Sequence, residues 1–136
     1  MSIDKHHELK DRTKAFALRV FRMSQALPKT REANTIMQQL LRSSTSVAAN
    51  YRAAGRARSK AEFISKLGVV IEEADETVFW LEFLADTGIV QATKLRELIN
   101  EANQLLLISR HRGVPQKHDR VPIRSPDHPI TRDHPI

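Results

Sequence analysis

The sequence predicts an all-α protein: an antiparallel up-and-down four-helix bundle over residues 1–110, followed by a disordered Pro/His-containing tail over 111–136. Apolar residues recur at steps of three and four in four successive segments, the period of a helix with one buried face. Glycine is rare, with only four among 136 residues, so the turn chemistry a strand-rich fold needs is missing. Five of the six prolines lie beyond His111, where the helical period stops.

The first helix is expected from about Glu8 to Leu27. Leu9, Thr13, Phe16, Ala17, Val20, Ser24 and Leu27 share one side, and Lys10, Asp11, Lys14, Arg19 and Arg22 fill much of the other. Pro28 ends it, because the residue before a proline avoids helical angles. The second helix begins between Thr30 and Asn34 and runs to about Ala54, with Ile36, Leu40, Val47 and Tyr51 on its buried side. Its centre, Arg42-Ser43-Ser44-Thr45-Ser46, has low helix propensity, and its small side chains suit close approach by a neighbouring helix. Gly55 is placed to terminate it.

Ser59 with Glu62 three residues on forms a capping-box pattern that opens the third helix, and Gly88 closes it. This helix is about 40 Å long at ~1.5 Å rise per residue. Its second half, Val78-Phe79-Trp80-Leu81-Glu82-Phe83-Leu84-Ala85, is apolar nearly all the way round. A helix in an isolated bundle needs a single apolar stripe, so a second packing surface is expected there, with self-association through Phe79, Trp80 and Phe83. The fourth helix runs from Gln91 or Thr93 to Arg110, with Leu95, Leu98, Ile99, Ala102, Leu105, Leu106 and Ser109 inward. Short links make successive helices antiparallel neighbours.

Composition removes several classes of function. The chain has no cysteine, hence no disulfide, thiolate metal site or cysteine nucleophile. The N-terminal residues are polar and lack a signal-peptide pattern, and no apolar run approaches the ~20 residues of a membrane helix, so a cytoplasmic protein without membrane contact is expected. All six histidines, at 6, 7, 111, 118, 128 and 134, fall outside the predicted helices of the bundle, Glu-x-x-His spacing is absent, and the glycines stand singly. No catalytic residue, metal site or cofactor is therefore expected, and the chain reads as a non-enzyme. The run Glu72, Glu73, Asp75, Glu76 splays over more than half a helix circumference, which suits a solvated or salt-bridged face better than a metal cluster.

Charge is the informative feature. The net charge of +6 is unevenly spread: residues 1–60 hold 13 Lys/Arg against 4 Asp/Glu, whereas residues 61–110 hold 4 against 9. Such asymmetry implies one basic and one acidic face. No acidic residue lies between Ala33 and Ala61, a stretch that carries Arg42, Arg52, Arg56, Arg58 and Lys60. These cations suit phosphate contact with counterion release, and Tyr51 among them offers a ring for stacking on an unpaired base. The competing reading pairs the same arginines with the acidic third helix, within or between subunits.

Arg42, Ser46, Asn50 and Ser59-Lys60-x-Glu62-Phe63 stand at a spacing similar to that of a known family, and the acidic–apolar stretch from Glu72 to Glu82 fits it too. Over residues 8–110 the chain resembles the bacterial four-helix-bundle proteins of intervening sequences in 23S ribosomal RNA genes. It is also similar to the accessory proteins of diversity-generating retroelements, pentamers that bind RNA and a reverse transcriptase. The resemblance implies a ring-like homopentamer with a positively charged surface. One departure stands out: where family members commonly follow the asparagine with Ala-Glu-Gly, here Arg52-Ala53-Ala54 follows Tyr51 and Gly55 comes one place later. If that glutamate has a role in other members, this chain lacks it, and its junction is more basic. The expected function is a homo-oligomer that binds nucleic acid, RNA foremost, through Arg42, Tyr51, Arg52, Arg56, Arg58 and Lys60. The alternative is a protein-binding scaffold or accessory subunit, for example of a reverse transcriptase.

Overall fold

A computed structural model describes residues 3–113 as helices α1 (Ile3–Gln25), α2 (Arg31–Ala54), α3 (Lys60–Thr87) and α4 (Ala92–Gly113). Each helix packs against its neighbours in sequence and α1 closes on α4, with no diagonal pairing, which is the up-and-down bundle. The expected disordered tail over 111–136 lies outside the described residues from 114 onward, while His111–Gly113 extend α4.

The ends follow local chemistry. Thr30 accepts a hydrogen bond from the Ala33 amide (3.1 Å) and Ser59 one from the Glu62 amide (3.0 Å), each satisfying an amide that the first turn leaves open. Such a cap contributes about 1 kcal/mol. The Glu62 carboxylate reaches back to the Arg58 amide (3.4 Å), one residue before the cap, so the box is offset. Gly88 closes α3 in the left-handed conformation, φ 75°, where a side chain would be strained.

Gly55 stands at the C-cap of α2 for a different reason. Its φ of −66° is ordinary; the Gly55 amide still donates to the Tyr51 carbonyl as in an α-helix, and the chain then tightens as the Arg56 and Ala57 amides donate to the Ala53 and Ala54 carbonyls. A Cβ at Gly55, however, would lie 2.0 Å from His6 Nε2, so glycine here admits a neighbouring helix rather than a turn. That contact also explains why α1 begins at Ile3, ahead of Glu8: His6 packs onto the bundle and holds an extra turn. The histidines correct the sequence reading accordingly, since His6 and His7 lie in α1 and His111 in α4.

The core is a continuous aliphatic layer with Phe16, Val20, Leu40, Leu67, Leu81, Leu95 and Leu105 at or near zero exposure. The small residues of α2 do allow close packing. Ser43 and Ser44 are fully buried, and Ser43 Oγ accepts a hydrogen bond from Thr77 Oγ1 of α3 at 3.0 Å. The α1–α4 contact is the slightest, and polar groups bridge it: Arg12 donates to both oxygens of Glu101 at 2.8 and 2.7 Å, a planar two-point pair.

Candidate nucleic-acid interface

The up-and-down topology brings the C-terminal end of α2 beside the early turns of α1 and the start of α3. Arg52 and Arg56, one turn apart, line a groove of about 630 Å³ with Lys10, Asp11 and Lys14 of α1. On the other side they line a shallower depression of about 450 Å³ with Arg58, Glu62 and Lys66. Three helices and a link thus place six cations, Lys10, Lys14, Arg52, Arg56, Arg58 and Lys66, around two carboxylates. Arg52, Arg56 and Arg58 are exposed, and no ion pair among the described residues takes their guanidinium groups. Lys60, the first residue of α3, is also exposed at this end.

Two of the sequence-selected residues do not belong to this surface. Arg42 sits ten residues before Arg52, ~15 Å along the helix. It is committed to the α2–α3 seam, bonding Glu73 (3.0 Å), Glu76 and Gln39 (3.2 Å). The competing reading, pairing with the acidic third helix, therefore holds for Arg42. The acidic run is divided in the same way, with Glu73 and Glu76 turned to α2 and Asp75 3.9 Å from Arg110 of α4. Among the described residues no group of three or more His, Asp or Glu could hold a metal ion.

Tyr51 is the second correction. It is fully buried, its ring stacked on His6 at 4.7 Å and 17°, and its hydroxyl accepts a hydrogen bond from Arg112 at 3.0 Å. It offers no face to a base. Burial pushes its hydroxyl pKa up, and Arg112 opposes that shift. Tyr51 instead ties the N-terminus of α1 to the C-termini of α2 and α4. The family-like spacing has the same structural meaning: Asn50 Nδ2 donates to the Ser46 carbonyl (2.9 Å) and to Ser46 Oγ (3.0 Å), while Ser59 caps α3.

Sequence reasoning missed Lys10, Lys14, Lys66 and His6. The spacing of Lys10 and Lys14 on the polar side of α1 was a signal, but only the fold shows that this side faces Arg52 and Arg56.

The His6 clasp carries a pH dependence. Burial first, then the neighbouring charges of His7, Arg112 and Lys10, hold the imidazole below its ordinary value of 6.5. The unfolded chain therefore binds this proton more readily than the folded one. Stability should be intact above pH 6.5, fall as pH drops from there to the lowered folded value, and level off below it. Urea midpoints compared at about pH 7.5 and about pH 5 should show this loss, and His6→Ala should remove its share of the difference.

The expected second packing surface of α3 is an exposed aromatic cluster. Phe79 and Phe83 are 54% and 43% exposed, and half-buried Trp80 meets both edge-on with centroids 5.0 and 5.8 Å apart. Trp80 Nε1 is buried without an acceptor.

Fold and surface together define a four-helix-bundle protein with a basic junction and a separate exposed aromatic face. The family model for the 23S rRNA-intervening sequence protein matches residues 5–109, and the chain belongs to that family. A crystal structure of a protein of unknown function from the S23 ribosomal protein family of Bacteroides thetaiotaomicron VPI-5482 is similar, with 31% identity and a TM-score of 0.74. That match covers 80% of this chain and 97% of the other. Comparison with curated proteins finds no match. No helix among the described residues is long and apolar enough to cross a membrane.

Proposed function

We propose that this chain is a non-enzymatic homo-oligomer that binds nucleic acid, RNA foremost, through the basic junction of α1, α2 and α3, with five subunits as the family resemblance implies. The observation that carries this reading is the convergence of Lys10, Lys14, Arg52, Arg56, Arg58 and Lys66 from three helices and a link on one side of the molecule. Cations held by rigid helix ends neutralise phosphates and release counterions without reading bases, so binding is strong at low salt and largely indifferent to sequence. With Tyr51 buried, the interface works by charge and shape alone.

A second reading, a scaffold or accessory subunit for a protein such as a reverse transcriptase, is favoured by the aromatic face, since exposed phenylalanines clustered on a half-buried tryptophan suit a protein-binding surface. Light scattering of the purified protein at low and high salt, with absorbance at 260 nm, separates the two. The nucleic-acid reading predicts an oligomer carrying nucleic acid that salt strips away. A clean oligomer at both salts supports the scaffold, and a monomer sinks both.

A further inference from the structure

The groove between α1 and α2 joins two kinds of surface in one channel. Its near end is the basic junction, where Lys10 and Lys14 of α1 stand across from Arg52 and Arg56 of α2, with Asp11 the one carboxylate of the lining. Farther along, the lining carries no charge. The floor there is Thr45, Ala48 and Ala49 of α2, and the wall is Leu18 and Phe21 of α1, exposed by 42% and 49%. Lys14, Leu18 and Phe21 follow one another at steps of four and three, so they share one stripe of α1. Phe21 lies about 10 Å along the helix from Lys14. The junction itself offers charge and shape alone; the groove that opens from it adds a half-exposed aromatic ring beside small side chains.

We infer that the nucleic acid held at the junction is single-stranded, and that it runs on into the α1–α2 groove with phosphates on Lys10, Lys14, Arg52 and Arg56 and one unpaired base stacked on Phe21. Four cations against one carboxylate select a polyanion for the near end. Arg52 and Arg56 also line the depression that holds Arg58 and Lys66, so the cations form a continuous track, which suits the repeated charges of a strand better than an acidic peptide. The apolar end then decides between strand and duplex. An unpaired base presents a flat face to an aromatic ring, and the small residues of the floor leave room for it. In a duplex those faces are already stacked on neighbouring bases. Width acts the same way: packed helix axes lie about 8–10 Å apart, less than the ~12 Å of the major groove alone in a double helix. A duplex can rest its backbone on the junction but cannot deliver a base to Phe21. Every base has a stacking face, so this path adds affinity without sequence preference.

This inference rests on the nucleic-acid reading above, and its test keeps the two apart. Three probes are titrated by fluorescence anisotropy over a series of salt concentrations: an unstructured RNA of about 12 nucleotides, within the range of single-strand site sizes, the same RNA annealed to its complement, and an abasic ribose-phosphate chain of equal length. The parent should hold the single strand about 10-fold more tightly than the abasic chain, the contribution of one base–aromatic stack. Phe21→Ala should abolish that difference while leaving the salt slope, the duplex affinity and the abasic affinity as in the parent, because no phosphate contact is lost. Phe21→Leu, which keeps apolar bulk without a flat ring, should behave like Phe21→Ala, and Phe21→Trp should bind as the parent does. Circular dichroism and light scattering on each variant check that fold and assembly are those of the parent. Single-strand affinity independent of Phe21 would overturn the stacked path and leave the apolar end of the groove to a protein partner. A loss shared equally by all three probes would overturn it too, and in both cases the basic junction stands as the interface. A parent that binds none of the three would remove the nucleic-acid reading itself, and this inference with it.

Discussion

Replacing Arg52, Arg56 and Arg58 together by glutamate should weaken nucleic-acid binding about 100-fold at 0.1 M salt and lower the slope of log affinity against log salt by about 2, the loss of three single-strand phosphate contacts. The effect should be of similar size for unrelated sequences, because nothing in the junction reads base edges. The three side chains are exposed, so the bundle should retain its helical content and melting temperature. Light scattering belongs with the titration, because a change of assembly would register as a change of affinity. Arg42→Glu is the internal control: its partners are Glu73 and Glu76, so it should cost stability while leaving affinity near that of the parent. Unchanged binding by the triple variant would remove the junction as the interface.

Truncating Tyr51 to alanine should be the most damaging single change to stability. The ring is fully buried against His6, and emptying a site of that size costs about 3–5 kcal/mol. In a domain of this length that corresponds to a fall in melting temperature of roughly 10–30 °C. Tyr51→Phe should cost about 1–2 kcal/mol, because it keeps the ring and leaves Arg112 without its hydroxyl acceptor. Both variants, studied at temperatures where they are folded, should bind nucleic acid as the parent does. A base-stacking tyrosine would behave in the opposite way, losing affinity with unchanged stability, so a denaturation curve and a titration on the same two variants decide the matter.

The two readings of Tyr51 show where sequence reasoning divides. Its position four residues after Val47 already placed it on the buried side of α2, while its basic neighbours suggested a ligand platform. Helix phase was the stronger of these signals, because burial of an apolar face is what holds the helix in the bundle. Arg42 presents the reverse case. Its sequence neighbours carry no carboxylate, yet the antiparallel pairing of α2 with α3 sets Glu73 and Glu76 beside it, and only the fold brings residues 31 and 34 positions away within reach.

Local chemistry alone determined the four helices, the caps at Ser59 and Gly88, the small-residue stretch around Ser43 that suits close approach by some neighbouring helix, and the apolar second half of α3, because each depends on residues within a few turns of one another. The tertiary structure decided what distant segments do together. It turned Tyr51 and His6 into a clasp, assigned Gly55 to that clasp rather than to a left-handed turn, removed Arg42 from the basic surface and added Lys10, Lys14 and Lys66 to it. Helix periodicity states which side of a segment is buried; which neighbour lies against the polar side is set by the packing of all four helices at once.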